Sequence, residues 1–356
     1  MLRLNPLTKK KLQRFRSIKR GYWSFLILVF LYLISLAGEL LVNKRALVVC
    51  YGGEFFFPTY GQQMSGKDFG LGYDYEVNYR ELKRKFTQEN RDDWVLMPPV
   101  PYGPYEMDYR LEESNGFSPP SFERRHYCGT DKTERDVLAR LLYGFRIAMT
   151  FAMGYLVLTY LIAIAVGSFM GYLGGKSDML GLRFVEIWAN VPFLYMVIIL
   201  VSVMPGGWGI GWQVSSLLII MVLFSWTGMT YYIRASVYKE KARDYISAAK
   251  VIGAGPFRIV FKHLLPNVVS TLVTFAPFTI AAAISSITAL DFLGYGLPPP
   301  TPSWGELLKQ GVNNLRTAPW IVTSTVTALV LTLTLVTFVG EAIREAFDPK
   351  KFSIYE

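Results

Sequence analysis

The stretch IAMTFAMGYLVLTYLIAIAVGSFMGYLGG, Ile147 to Gly175, contains no Asp, Glu, Lys or Arg. A helix needs about 20 mostly apolar residues to cross a bilayer, so this stretch is long enough to span one. On either side of it the same absence of charge recurs in Gly21–Gly38, Ile187–Ile233, His263–Leu290 and Thr317–Gly340. The Ile187–Ile233 window has room for two crossings, which brings the total to six. Hydrophobic residues make up 52% of the 356 and charged residues 18%, against about 25% charged in soluble domains. That balance excludes a disordered chain and argues against an ordinary soluble enzyme. The expected fold class is an all-α polytopic membrane protein of six transmembrane helices, at about 23–42, 147–175, 184–204, 212–233, 267–290 and 318–340.

A formal net charge of +10 would suggest nucleic acid in a soluble chain, but its distribution fits a membrane protein better. Residues 1–22 hold Arg3, Lys9, Lys10, Lys11, Arg14, Arg16, Lys19 and Arg20 and no acid. The 234–266 segment, between the fourth and fifth spans, holds Arg234, Lys239, Lys241, Arg243, Lys250, Arg258 and Lys262 against Glu240 and Asp244. Short basic segments stay on the cytoplasmic side. Six crossings return the tail, 346–356 with Lys350 and Lys351, to that side, so both termini are expected in the cytoplasm. The first span is too long for a secretory leader and shows no small-residue cleavage site, so it reads as a retained anchor.

Residues 43–134 then form an extracytoplasmic insert. Runs such as Phe55-Phe56-Phe57-Pro58 and Met97-Pro98-Pro99-Val100-Pro101 favour short β segments and turns, with a helical pattern only near Tyr79 to Glu89. Both cysteines, Cys50 and Cys128, lie close to its two ends. In an oxidising compartment a disulfide would tie them together; two unpaired thiols are the alternative.

The permease core expected over 135–345 opens with an amphipathic lead-in, Asp136 to Gly144, before the second span. Lys176 to Arg183 reads as a tight turn. Pro192, inside the third span, should kink it or unwind a turn. Asn190 beside it is a candidate pathway group, with helix–helix hydrogen bonding the alternative. Asp291, just past the fifth span, is a second candidate.

The cytoplasmic segment carries the most informative pattern. Tyr245, Ala248, Ala249 and Ile252 recur at i, i+3, i+4 and i+7, one apolar stripe on a short helix. Gly253 permits a sharp turn, and Pro256 suits the start of a second helix. Leu265-Pro266 opens the fifth span where a missing N–H costs nothing. Such a helix has little lipid to bury against, so its stripe is expected to dock on a partner protein.

This pattern resembles the coupling loop of ABC-importer permeases, with Ser247 where the family usually has Glu and His263 where an aliphatic residue is usual. Gly129-Thr130-Asp131, Arg135-Asp136 through Arg140 and Gly144-Phe145-Arg146 are similar to the opening signature of the dipeptide and oligopeptide permeases, with Glu134 in place of the usual Gly. Asp291-Phe292-Leu293-Gly294-Tyr295-Gly296 through Trp304-Gly305-Glu306 is similar to their outer loop. The insert, the basic start and the tail most resemble the Yej-type peptide permeases. The resemblance implies a non-catalytic subunit of a bacterial inner-membrane peptide importer, without a cofactor. It implies a second homologous permease, two cytoplasmic ABC ATPase subunits docked around Tyr245 to Pro266, a peptide-binding protein on the outer face, and peptide as cargo.

Other signals fail. Gly171 to Ser177 looks like a phosphate-binding loop but has Met170 where the first glycine belongs. The two histidines, His126 and His263, lack partners at metal-ligand spacing. A stand-alone secondary transporter would need a midplane ion site, and the span centres hold no carboxylate. An intramembrane hydrolase lacks an evident catalytic set.

Overall fold

The computed structural model describes residues 6–89, 92–108, 116–205, 207 and 209–348. Arg3, the Gly206 and Trp208 positions of the turn after the third span, and the tail from Pro349, with Lys350 and Lys351, lie outside the described residues.

Helix α1 (Pro6–Ser17) leads into α2 (Lys19–Leu36), the first span. It begins and ends earlier than the 23–42 expected. A single 3-10 turn, Gly38–Leu40, follows. The cause is a tertiary partner: Arg146 donates from Nε to Ser35 O at 2.5 Å and holds Glu39 Oε1 at 3.0 Å, capping the helix end.

The insert is built on strand β1 (Val48–Tyr51), flanked by antiparallel β2 (Glu54–Phe56) and β3 (Trp94–Leu96), with Val49 opposite both Phe56 and Val95. Helix α3 (Tyr79–Gln88) packs on this sheet. Its cap, Asn78, accepts from Arg80 N at 3.2 Å. Val49, Phe69, Leu82, Phe86 and Val95 bury each other in a small core of their own. Cys50 and Cys128 are both free thiols in the structure. Cys50 lies on β1, whereas Cys128 packs against the large cluster of the membrane helices.

Helix α4 (Val137–Leu173) has 37 residues, about 55 Å at 1.5 Å per residue. The hydrocarbon core is about 30 Å. The amphipathic lead-in and the second span are therefore one rod, capped by Asp136, whose Oδ1 accepts from Ala139 N at 2.7 Å.

The expected turn over Lys176–Arg183 is instead helical: α5 (Gly175–Ala189) starts immediately after Gly174. Two of the charges in that stretch have partners. Asp178 accepts from Arg234 Nε and Nη2 at 2.5 Å each, and Arg183 pairs with Glu186 at 2.7 Å. After Asn190–Pro192 the chain bends by 69° into α6 (Phe193–Ser202). The third span is thus a broken pair; among the described residues five helices are long and apolar enough to cross alone.

Helix α7 (Ile210–Lys241) is followed by α8 (Asp244–Val251), the single-turn α9 (Pro256–Arg258), one π-helical turn at Ile259–Leu264, and α10 (Leu265–Leu293). Helices α11 (Trp304–Asn313) and α12 (Pro319–Phe347) complete the chain. Phe145 and Met149 of α4, Met221 of α7, Ile284 and Ile287 of α10 and Ile321 of α12 share the main core. Large side chains such as Phe30, Ile187 and Trp212 remain outside it. That exposure carries little penalty in lipid, whose tails are as apolar as leucine.

Candidate functional site

Two places concentrate the residues singled out by the sequence. They lie at opposite ends of the helix bundle.

At the α7–α10 end, α8 is fixed by Ile246, a fully buried side chain that joins Ile233 and Val237 of α7 and Ile259 and Leu264 of the π-helical turn. The Tyr245 hydroxyl donates to Glu240 Oε2 at 2.9 Å and accepts from Asn267 Nδ2 at 2.9 Å. Tyr245 thereby ties α8 to the ends of both α7 and α10. Ala248 is exposed and Ala249 half-buried, while Ile252 is 87% exposed. Gly253 takes φ +87°, a conformation open to glycine without a Cβ clash. Leu265 is half-buried beside fully buried Leu264, and Pro266 is exposed in the first turn of α10.

The spacing of Tyr245, Ala248, Ala249 and Ile252 therefore marks the outward face of α8. The inward anchors, Ile246 and Leu264, were not singled out from the sequence: Ile246 lies off the 245/248/249/252 stripe and Leu264 in the turn beyond Gly253. Nor were Val251, Phe257 and Phe261, which are 88%, 81% and 64% exposed. Phe257 and Phe261 stack at 6.5 Å between ring centroids. The result is an apolar knob on a basic loop that none of the described residues covers, the kind of patch that marks a protein interface. Next to it, Ser236, Ser270, Thr271, Thr274 and Arg344 help line a polar cavity of about 610 Å³ between α7, α10 and α12.

At the other end, the two outer signatures meet. Asp131 accepts from Arg135 Nε at 2.8 Å, and Arg135 Nη2 reaches Glu306 Oε1 at 3.0 Å. Arg140, fully buried, pairs with Glu306 Oε2 and donates to Pro104 O at 3.1 Å. Removing one partner from such a buried pair costs about 3–5 kcal/mol, because a charge is stranded in low dielectric. Trp304 Nε1 donates to Leu141 O at 3.0 Å. Gly305 lies so close to α10 that a Cβ would come within 2.2 Å of Thr288 O. Beside this network His126 is buried between Asp136 (Nδ1 to Oδ2, 2.8 Å) and Asp108 (Nε2 to Oδ2, 3.4 Å), with Tyr102 stacked on its ring at 3.9 Å. Burial opposes the charged imidazolium, and the hydrogen bonds to Asp108 and Asp136 outweigh it, so the pKa is raised.

The three pathway candidates are not gathered into one site. Asn190 is exposed and donates from Nδ2 to Glu186 O at 2.7 Å, closing the end of α5. Pro192 is exposed at the bend. Asp291 is buried and accepts from Leu297 N at 2.6 Å, which folds the outer loop back onto α10.

A broken third span, an exposed apolar knob between two spans and a clamped outer loop fit a transport permease. Residues 163–353 match the family described as binding-protein-dependent transport system inner membrane component, and the chain belongs to that family. It is 39% identical over 352 residues, 99% of each chain, to the inner membrane ABC transporter permease protein YejE of Escherichia coli (strain K12). It is 35% identical, over 98% of this chain and 94% of the relative, to the peptidoglycan transport system permease protein YejE of Agrobacterium fabrum (strain C58). The oligopeptide transport system permease protein OppC of Haemophilus influenzae matches 65% of this chain and 72% of its own length at 33% identity. The chain is thus a multi-pass inner-membrane permease of the ABC transporter class, and the secondary-transporter alternative is not favoured.

Proposed function

We propose that this chain forms half of the translocation pathway of an ATP-driven peptide importer, paired with a second, similar permease. Two cytoplasmic ATPase subunits dock on α8 and the turn that follows it, and a soluble binding protein delivers peptide to the opposite face. The observation that carries this reading is the uncovered apolar knob of Val251, Ile252, Phe257 and Phe261 on a basic loop. It is anchored through Ile246 and Tyr245 to α7 and α10, whose ends line the polar cavity. A rigid push on α8 is therefore transmitted to pathway helices, and a two-state pathway needs only differential contact in each state. Peptide as cargo follows from the names of the relatives, one of which is assigned to oligopeptide and another to peptidoglycan transport.

The test is affinity capture of the tagged chain from gently solubilised membranes, together with the Gly253→Asp variant. A Cβ at Gly253 meets nothing within 4 Å, so the substitution acts through its positive φ and its charge beside the knob, not through a clash. Copurification of a P-loop ATPase and a second multi-span chain is expected. The variant should insert normally and lose ATP-dependent peptide uptake. Unchanged uptake in Gly253→Asp would sink the coupling assignment.

A further inference from the structure

The insert holds a cleft that neither the apolar knob nor the outer ion network uses. It lies between α3 and the tight turn Ser121–His126 and encloses about 740 Å³, within the range of small-ligand pockets, roughly 300–1,000 Å³. Lys83 and Arg84 stand on one wall and Arg124 and Arg125 on the other. Among the described residues none of these four side chains forms a salt bridge. Residues 43–134 carry 15 Asp and Glu against 12 Lys and Arg, so the insert is acidic overall, yet four cations without a salt bridge gather at this cleft. Glu123 on the turn and Asp108, already engaged by His126, are the carboxylates that also reach it.

The floor is apolar and fixed. Met97 and Tyr102 are buried, and the Arg80 guanidinium lies 4.5 Å over the Tyr102 ring. Arg80 donates to Pro101 O at 2.5 Å and to Glu106 Oε1 at 2.6 Å, yet its Nε is buried with no hydrogen-bond partner. A buried donor without a partner is uncommon and calls for an explanation. Arg125 is held at φ +60°, a left-handed conformation that a residue with a side chain adopts only at a cost. Strain of this kind persists where surrounding structure enforces it, most often at binding sites. Like charges held on two facing walls repel unless an anion sits between them, and a concave wall of one sign raises the local concentration of the opposite one.

We infer that this cleft binds small peptides through their carboxylates and acts as an outer selectivity site for acidic cargo. The inference rests on the peptide-importer reading above. A concave cleft of this volume with an apolar floor suits a short peptide better than the flat acidic surface of a partner protein. Arginine on two walls suits carboxylate geometry, since guanidinium hydrogen bonds to carboxylates are strong and frequently bidentate.

The experiment uses the full chain in phosphatidylcholine nanodiscs and a fluorescent tetrapeptide, Ala-Glu-Asp-Glu, beside its analogue with every carboxylate amidated. The acidic peptide should bind, weaken as salt rises, and exceed the amidated one by roughly tenfold or more, the scale set by loss of one or two charge-assisted hydrogen bonds. The double variants Arg124→Gln with Arg125→Gln, and Lys83→Gln with Arg84→Gln, should each remove most of that preference. Lys67→Gln, paired with Asp74 outside the cleft, should not. Equal binding of the two peptides, or an unchanged preference in both double variants, would overturn the proposal. So would loss of flotation with phosphatidylglycerol vesicles, or of capture by an acidic partner protein, in the same variants while peptide preference stays intact. In the assembled transporter, uptake of neutral peptide should survive both double variants. If the wild type takes up neither peptide, the importer reading fails, while nanodisc binding still decides the cleft.

Discussion

His126 joins two parts of the molecule through one ring. Asp136, on one side, caps the second span. Asp108, on the other, belongs to the insert, as does Tyr102, which covers the ring face. Arg80 lies over the far side of Tyr102, and Cys128, two residues on, has its thiol pKa raised by burial and then by Asp136. Because the folded pKa of His126 lies above its ordinary value of about 6.5, the charged form is favoured in the folded state. Its stabilisation is complete below the unfolded pKa and is lost as pH rises through the folded one. The melting temperature of the full chain in detergent should therefore fall as pH climbs from about 6.5 toward 9, beyond what groups elsewhere contribute. In His126→Asn that dependence should flatten and stability at pH 6 should drop. A wild-type profile parallel to that of the variant would show that the imidazole is neutral throughout. Nothing in the residue pattern signals this arrangement. The spacings among Asp108, His126 and Asp136 match no periodic element, and a loop had to fold back to bring them together.

Among elements, α8 shows how a helix of eight residues can be rigid in one direction and uncovered in the other. Ile246 faces α7 and the π-helical turn with no exposed surface, while Ile252 and Phe257 face away. Two substitutions separate these roles. Ile246→Ala removes buried methyl and methylene groups and should destabilise by about 2–5 kcal/mol, loosening α8 from α7 and lowering the melting temperature. Phe257→Ser should change stability by no more than about 0.5 kcal/mol yet weaken capture of the ATPase. Retained ATPase capture in Phe257→Ser would remove Phe257 from the docking surface. The helical period and the Gly–Pro punctuation made this hairpin legible in the sequence, because a short helix between spans depends on local signals. By contrast, α5 was hidden. Lys176, Asp178 and Arg183 read as a polar turn until Arg234, 56 residues on, supplies the partner for Asp178. The same holds for the outer clamp, where Arg140 and Glu306 are 166 positions apart. The motifs pointed to both stretches without saying that they touch.

For the whole molecule, the spans were the most legible feature, because hydrocarbon tolerates so few charges that their absence alone locates a crossing. Their ends were not, since Arg146, Asp136 and Arg234 move helix boundaries through contacts that no local window contains. Orientation rests on the basic N-terminus and the basic 234–266 segment, both expected to face the cytoplasm. The two cysteines provide a direct reading of it. Both are free, both are only partly exposed, and both lie in the segment placed on the outer side. A membrane-impermeant maleimide applied to intact spheroplasts should label Cys50, since modification requires only access and some thiolate. Cys128 should react more slowly, because burial and then Asp136 raise its thiol pKa and only the thiolate attacks. The Cys50→Ser variant isolates the slow site, and raising the pH by one unit should speed it close to tenfold while the thiol remains mostly protonated. Labelling that appears only after permeabilisation would invert the topology and put the apolar knob on the wrong side for any ATPase. Labelling of neither cysteine until a reductant is added would show that the two are bridged in the membrane. Prompt labelling of Cys50 from outside would fix the insert, the acidic-peptide cleft and the outer clamp on the face where cargo arrives.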